Sequence, residues 1–210
     1  MTEWPWIIHV GKRGYCVGST RQETIHELLA EQARLGRSVC RLKCGDPCVF
    51  GRGGEEAQAL AAAEIPFEIV PGVTSALGAC AAAGIPLTHR DVGPMVALVT
   101  GHHDPDSANS PLDWPTLAKI PVVVFYMGVR HWARILERLR EAGMPEETPV
   151  AFIESGSLPR QEVIIGTVGE ISLFPGHAPA ILVVGDVVNY REQFSQWLRT
   201  SEFPLEGVLA

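Results

Sequence analysis

Hydrophobic positions along the chain fall into two alternating patterns, short continuous apolar runs and stretches with helical spacing. In residues 23–35 the apolar side chains share one helical face, and Gly36 follows as a stop signal. The runs VVVF and ILVV are rich in β-branched residues, which is typical of strands that are covered on both faces. This alternation predicts an α/β fold with two lobes that meet near residues 91–94.

The predicted elements form two sets, one in each lobe. In the first lobe, strands are predicted at residues 6–10, 38–43 and 66–70, and helices at 23–35, 54–64 and 74–83. In the second lobe, strands are predicted at residues 95–100, 121–126, 149–153, 162–165 and 180–185, and helices at 129–142 and 191–199. The predicted domains are an N-terminal α/β domain at 1–92 and a C-terminal α/β domain with a mixed sheet at 93–210.

Composition narrows the classes of function. The chain has 210 residues, of which 46% are hydrophobic and 20% charged, enough to bury a substantial core. Its formal net charge of −7 argues against general nucleic-acid binding, which needs clustered Lys and Arg. The sequence shows no apolar run of membrane-spanning length and no signal-peptide pattern at its start, so we expect a cytoplasmic protein with no membrane partner.

Cysteine and histidine spacing gives little support for a metal. The five cysteines are an odd number, which favours free thiols, at Cys16, Cys40, Cys44, Cys48 and Cys80. The even spacing of Cys40, Cys44 and Cys48 invites a cluster interpretation, but no fourth ligand stands at a standard distance. His102 and His103 likewise have no partner at metal-ligand spacing. We therefore expect no metal cofactor.

Two glycine-bearing loops are the strongest candidates for a ligand site. Gly45-Asp46-Pro47 follows a predicted strand, at the end where open α/β sheets bind ligands. Asp46 has the chemistry to accept hydrogen bonds from a ribose or an ammonium group, and an ordinary turn is the alternative interpretation. A second loop, PGVTS, opens a predicted helix, where Thr74 or Ser75 as a simple N-cap is the alternative.

Further polar or strand-end residues fall at the same predicted edge. Lys12 and Arg13 follow the first predicted strand, and a solvated pair is the alternative interpretation. Met127 follows the run PVVVFY, where a core methionine is the more ordinary role. The loop around Gly156 follows another strand and has the alternative of a plain turn.

These segments together resemble the tetrapyrrole methylases, most closely the uroporphyrinogen-III C-methyltransferases. The resemblance runs through VGKRG, RLKCGDPCVFGRGGEE, IPFEIVPGVTSALG, AGIPLTHRD, LVTGHH, VVVFYMGVR, ESGSLPRQ and PAILVVGDVV. It implies a fold of two α/β domains with a cleft between them, and a homodimer. It also implies methylation of uroporphyrinogen III to precorrin-2, on the branch toward sirohaem and cobalamin.

The resemblance assigns roles residue by residue. Its implied methyl donor is S-adenosylmethionine, and no metal is needed. The implied contacts with this donor are Cys44, Gly45, Asp46, Val49, Thr74, Ser75, Met127 and Gly156. Lys12 matches the residue assigned as the catalytic proton donor. The implied substrate is a tetrapyrrole that carries several carboxylates, so local cations would hold it despite the acidic chain.

The chain departs from the family pattern at its start. The strand predicted at residues 6–10 matches the third strand of the family, so we expect an N-terminal sheet that lacks its first two strands. Catalysis by this chain is then in question. The alternatives are a non-catalytic remnant that binds S-adenosylmethionine or tetrapyrrole, and a methyltransferase that acts later in the corrin pathway.

Overall fold

The computed structural model of this chain describes residues 6–11, 20–107, 110–170 and 177–198. The chain divides into two compact units, Met1–Gly72 and Val73–Ala210. The first unit contains helices, and the second combines helices with a mixed sheet, so the α/β class is confirmed. The predicted domain ranges, 1–92 and 93–210, stay predictions.

Two packed helices form the regular structure of the first unit. Helix α1 spans Gln22–Arg34 and helix α2 spans Gly53–Ala62, close to their predicted ranges. Their sequences contain few helix breakers, and α1 buries Ile25 and Leu29 on its apolar face. Gly36 ends α1 with a φ of 75°, a conformation that glycine adopts without strain.

The strands predicted at residues 6–10, 38–43 and 66–70 are wrong for the described part of the first unit. None of these stretches belongs to a β-ladder with another described residue. Their composition suits a strand, but a strand exists only when a neighbouring segment satisfies its backbone N–H and C=O groups. The composition of these stretches favours a strand, but the strand predictions are wrong because no described segment pairs with them.

The second unit is built on a five-stranded sheet. Its strands are β1 Val96–Thr100, β2 Val122–Tyr126, β3 Pro149–Glu154, β4 Glu162–Thr167 and β5 Ala180–Val184. They lie in the order β1-β2-β5-β3-β4, with β1 parallel to β2 and every other neighbouring pair antiparallel. The central β2 and β5 are almost entirely buried, which confirms the interpretation of VVVF and ILVV.

The helices of the second unit cover and flank this sheet. They are α3 Ser75–Ala82, α4 Trp114–Leu117, α5 Trp132–Glu141 and α6 Tyr190–Ser195, and a 3₁₀ turn at Asp186–Asn189 precedes the last. Helix α4 was not predicted; it follows a polar stretch, and its N-cap is Asp113, whose carboxylate accepts from the Thr116 amide at 3.3 Å. Helix α5 is amphipathic and buries Ile135, Leu136 and Leu139.

Candidate functional site

Asp46 ties together the two glycine-bearing loops of the first unit. One carboxylate oxygen accepts a hydrogen bond from the Cys48 amide at 2.8 Å, and the other accepts from the Gly72 amide at 3.2 Å. These backbone N–H groups hold the pKa of Asp46 below its ordinary value, because they stabilise the charged form. Asp46 is therefore an anionic clamp between the two predicted ligand loops.

The same two loops approach each other through glycine. A Cβ atom placed on Gly72 would lie 2.2 Å from the carbonyl oxygen of Gly45, which no side chain can accommodate. Glycine at position 72 is thus a requirement of the contact. The bends that follow Lys43 and Val70 therefore lie against one another.

The loop after Asp46 folds back on itself before α2 begins. The Gly53 amide donates to the Pro47 carbonyl at 2.8 Å. A Cβ on Gly53 would lie 2.4 Å from that oxygen, so only glycine permits this backbone contact. Phe50 and Arg52 adopt positive φ angles of 52° and 60°. Within this loop region Cys44 and Gly45 are exposed, and Val49 is half-buried.

Tyr126 fastens the start of α3 in the second unit. Its phenolic oxygen lies 2.8 Å from Thr74 Oγ1 and accepts from the Ala76 amide at 3.2 Å, in a buried environment. Thr74 occupies the N-cap position of α3, but its side chain makes no capping bond. The N-cap interpretation of Thr74 is therefore confirmed for its position only, because its hydroxyl bonds to Tyr126. Ser75 is exposed on the first turn.

Strained backbone follows two strands of this unit. Met127 comes directly after β2, is half exposed, and has a φ of 55°. Ser155 and Ser157, on either side of Gly156, have φ angles of 48° and 67°. Non-glycine residues rarely adopt such angles, and strained positions concentrate at functional sites. Two of the predicted contact regions, at Met127 and around Gly156, therefore contain non-glycine residues with positive φ angles.

Gly156 packs directly onto α3. A Cβ at this position would lie 2.3 Å from the Ala79 Cβ and 3.0 Å from its Cα, so only glycine fits. The loop is fixed there by Ser157 Oγ, which donates to the Gly78 carbonyl at 3.1 Å, and by Gln161 Nε2, which donates to the Ala82 carbonyl at 3.2 Å. Helix α3 is therefore the common support of Thr74, Ser75 and Gly156.

A buried carboxylate cluster stabilises the first unit beside its loops. Glu56 of α2 accepts from Lys43 Nζ at 2.8 Å, from Arg41 Nε at 3.2 Å and from Gln22 Nε2 at 3.2 Å. Burial on its own would raise the pKa of Glu56, but the bonds from Lys43 and Gln22 and the nearby positive charges outweigh it and lower the pKa. This cluster was not predicted as a unit.

The remaining candidates from the sequence are the predicted proton donor, the cysteines and possible metal ligands. Lys12, the predicted proton donor, lies outside the described residues, as does Cys16. Cys80 is buried, and burial raises the pKa of its thiol to about 12, whereas Cys40, Cys44 and Cys48 are exposed free thiols. Within the described ranges, no three His, Cys, Asp or Glu side chains are grouped as metal ligands would be.

One contributing residue was missed. Tyr126 ends an apolar run, so its ring predicts core packing, and only the adjacent Met127 was singled out. The signal that identifies it is a hydroxyl at the end of a buried strand, since a buried tyrosine oxygen needs a hydrogen-bond partner.

Every helix in the described parts of the chain is too short or too polar to cross a bilayer.

The fold of this chain is similar to that of solved methyltransferase structures. The uroporphyrin-III C-methyltransferase of Thermus thermophilus, complexed with S-adenyl homocysteine, superposes with a TM-score of 0.71 and 38% identity. The match covers 80% of this chain and 74% of that one. The chain belongs to the tetrapyrrole (corrin/porphyrin) methylase family, whose profile matches residues 9–172. The resemblance stated from the motifs is thereby confirmed.

Curated relatives agree with this family. A protein of Methanosarcina barkeri, the S-adenosyl-L-methionine-dependent uroporphyrinogen III methyltransferase, is 48% identical over 190 residues, which are 88% of this chain and 74% of that protein. Siroheme synthase 2 of Serratia proteamaculans is 47% identical over 93% of this chain. The chain spans only 41% of the length of that synthase.

Proposed function

We propose that this chain is an S-adenosylmethionine-dependent methyltransferase that converts uroporphyrinogen III to precorrin-2. The observation that carries the proposal is the 48% identity to the Methanosarcina barkeri methyltransferase across 88% of the chain. The bound S-adenyl homocysteine of the Thermus thermophilus structure supports the same donor, since it is what remains of S-adenosylmethionine after methyl transfer.

The proposed donor contacts are those that the motifs assign. In the first unit they are Cys44, Gly45, Asp46 and Val49, and in the second Thr74, Ser75, Met127 and Gly156. These residues suit S-adenosylmethionine as a ligand, because the exposed backbone at Gly45 and the strained backbone at Met127 offer N–H and C=O groups to a polar molecule. The clamp at Asp46 and the bond between Thr74 and Tyr126 hold the two sets of loops in fixed conformations.

The donor supplies an already activated methyl group when bound. The protein then has two tasks: to align the donor with the acceptor carbon, and to move a proton after attack. Rigid loops serve the alignment, since small displacements of reacting groups reduce rates strongly. We assign the proton transfer to Lys12, on the motif match alone.

The carboxylates of a tetrapyrrole need cations, and two arginines of the first unit are already engaged with carboxylates of the chain. Arg41 pairs with Glu56, and Arg52 pairs with Glu55 at 3.0 Å. Neither arginine therefore offers an uncompensated charge to a substrate. We infer that substrate carboxylates are recognised by other cations of the chain.

A methyl-transfer assay tests the proposal. The chain is incubated with uroporphyrinogen III and methyl-labelled S-adenosylmethionine under anaerobic conditions, and label in the tetrapyrrole is measured. We expect transfer that the variant Asp46→Asn reduces severalfold. The matched control is Asp104→Asn, because Asp104 accepts from the Asp106 amide at 3.0 Å in an exposed turn and, within the described ranges, its carboxylate bonds to no second loop.

Separate measurements distinguish the alternatives. Donor binding without label transfer would support the non-catalytic alternative, and transfer only to a later corrin intermediate would support the other. The homodimer, the cytoplasmic location, the absence of a metal and the contribution to cobalamin rather than sirohaem stay predictions.

A further inference from the structure

Two parallel strands of the second unit end side by side, and histidine follows each of them shortly afterwards. Strand β1 ends at Thr100 and β2 at Tyr126, and these two residues are register partners. The Gly101 amide donates to the Tyr126 carbonyl at 2.7 Å, and a Cβ on Gly101 would lie 2.8 Å from the Gly128 Cα. The segments that leave the two strands are therefore in direct contact, at the same edge of the sheet as Met127.

Three imidazoles lie in these two segments, and they are here called the histidine cluster: His102, His103 and His131. The ring centroids of His102 and His103 are 3.7 Å apart, and His102 Nδ1 lies 2.7 Å from Thr100 Oγ1. His131 is the N-cap residue of α5 and is close enough for its charge to act on His102. The cluster thus extends from the end of β1 to the loop between β2 and α5.

Positive charge in the histidine cluster is opposed by its own surroundings. Partial burial lowers the pKa of His102, and the like charges of protonated His103 and His131 lower it further. Arg130 adds a permanent positive charge to the loop between β2 and α5. Because an imidazole ordinarily has a pKa of about 6.5, His102 is neutral at neutral pH.

The carboxylates of the same loop make other contacts. Asp106 pairs with the Arg134 guanidinium at 2.6 Å, and Asp104 accepts from the Asp106 amide at 3.0 Å. The first turn of α5 contains no acidic residue. Among the described residues, no carboxylate oxygen lies at ion-pair distance from His103 or His131. The local charge therefore favours an incoming anion.

We propose that the histidine cluster binds one carboxylate of the tetrapyrrole substrate and takes up one proton as it does so. This inference rests on the proposed function, which supplies the substrate. A carboxylate beside the imidazoles stabilises their charged form, so a ring that is neutral in the chain alone becomes protonated in the complex. The proton comes from solvent, and the imidazolium and the carboxylate form a charge-assisted hydrogen bond. Because Met127 lies at the same edge of the sheet, this bond orients the substrate beside a proposed donor contact.

Coupled protonation gives the substrate affinity a defined dependence on pH. Substrate carboxylates are ionised throughout the neutral range, so the histidine cluster is the partner that changes its charge on binding. The affinity should be highest below the imidazole pKa of the chain alone. Above that value it should fall by up to about tenfold per pH unit, until the pH passes the raised pKa of the complex. Arginine and lysine contacts cannot produce this dependence, because they stay charged over the same range.

Isothermal titration in two buffers tests the proposal on the full chain. The chain is saturated with S-adenosylhomocysteine, which has no methyl group to transfer, and is titrated anaerobically with uroporphyrinogen III at neutral pH. HEPES and Tris differ in ionisation enthalpy, so the difference between the two observed heats gives the number of protons exchanged. We expect uptake of about one proton for each substrate bound.

Amide variants separate proton uptake from hydrogen bonding. His102→Gln and His103→Gln keep a side-chain N–H donor without the titratable group, and His131→Asn also keeps a favoured N-cap residue. The variant with all three changes should bind the substrate at least several-fold more weakly and without proton uptake. His177→Gln is the matched control, since His177 is an exposed histidine of the same unit outside the cluster, and it should keep the proton uptake of the parent.

Two results would overturn the proposal without affecting the proposed function. They are substrate binding by the parent with no proton uptake, and proton uptake that the variant with all three changes retains. In both cases the substrate still binds, so only the role of the histidine cluster is contradicted. Failure of the parent to bind uroporphyrinogen III at all would contradict this inference and the proposed function together.

Discussion

Asp46 and Gly72 are joined by a hydrogen bond of 3.2 Å from the Gly72 amide to the Asp46 carboxylate, across 26 residues of sequence. This bond unites two loops that sequence motifs had identified separately. The second carboxylate oxygen is held by the Cys48 amide, so the aspartate serves both its own turn and the neighbouring loop. Asp46, which was predicted as a ligand contact, thus also links two loops of the first unit.

Replacing Asp46 with asparagine should release Gly72. The amide side chain keeps one acceptor oxygen, and the shorter bond to Cys48 should retain it, which leaves the Gly72 N–H without its partner. We expect the exchange protection of the Gly72 amide to fall severalfold, measured by hydrogen exchange. Asp104→Asn is the control and should leave Gly72 unchanged.

The same bond should respond to acid in a defined direction. Because the amides of Cys48 and Gly72 lower the pKa of Asp46, its stabilising contribution is complete above the ordinary aspartate pKa and is lost as pH falls through the lowered folded-state value. Protection of Gly72 should follow this loss in the parent chain. A parent whose Gly72 protection has the same acid dependence as Asp46→Asn would contradict the clamp.

Replacing Glu56 with glutamine should destabilise the first unit. The change leaves the largely buried Lys43 ammonium facing a neutral group, and breaking a buried ion pair costs about 3–5 kcal/mol. Urea denaturation measures this loss. The neighbouring Glu55→Gln is the matched control, since Glu55 and Arg52 are both half exposed and such pairs contribute less than about 1 kcal/mol.

Acid denaturation provides a second check on Glu56. Its folded-state pKa is lowered, so its contribution is complete above the ordinary glutamate pKa and disappears as pH falls through the lowered value. Glu56→Gln should therefore lose less stability on acidification than the parent. Parallel curves for parent and variant would be evidence against a stabilising Glu56 charge.

Replacing Tyr126 with phenylalanine should loosen the start of α3. The variant leaves the Thr74 hydroxyl and the Ala76 amide without their buried partner, at a cost of about 1–3 kcal/mol. Because Ser75 begins this helix, we also expect weaker S-adenosylmethionine binding in titration calorimetry. Tyr190→Phe is the control: it removes a 2.8 Å bond to His89 and should lower stability without changing donor affinity.

Replacing Gly156 with alanine should displace its loop from α3. The new Cβ would overlap Ala79, and overpacking of this kind costs about 1–3 kcal/mol. Thermal unfolding measures the loss, and donor affinity should fall with it. Gly54→Ala is the control, because nothing lies within 4 Å of the added atom and alanine favours the helix. Unchanged stability of Gly156→Ala would mean that the close contact is absent in solution.

The sequence predicted the second unit far better than the first, for a physical reason. The run VVVF is apolar throughout and becomes the buried strand β2, and helical periodicity located α5 within a few residues. The runs at 38–43 and 66–70 have similar strand propensity, yet they form no ladder among the described residues. Strand formation depends on a distant partner, which local composition does not encode.

Site residues show the same division between local and tertiary information. Glycine motifs located the loops at Gly45 and Gly72, because a close backbone approach leaves a local requirement for glycine. The role of Tyr126 and the packing of Gly156 on Ala79 depend on residues more than 50 positions away, so no local pattern revealed them.

The central claim is that this chain binds the methyl donor through its glycine-bearing loops. Isothermal titration of the full chain with S-adenosylhomocysteine tests it most directly, alongside Thr74→Val as a variant that removes the hydroxyl at Tyr126. We predict saturable heat with one ligand per chain and at least several-fold weaker binding by the variant. The absence of saturable heat at millimolar ligand, with a folded chain, would contradict the account.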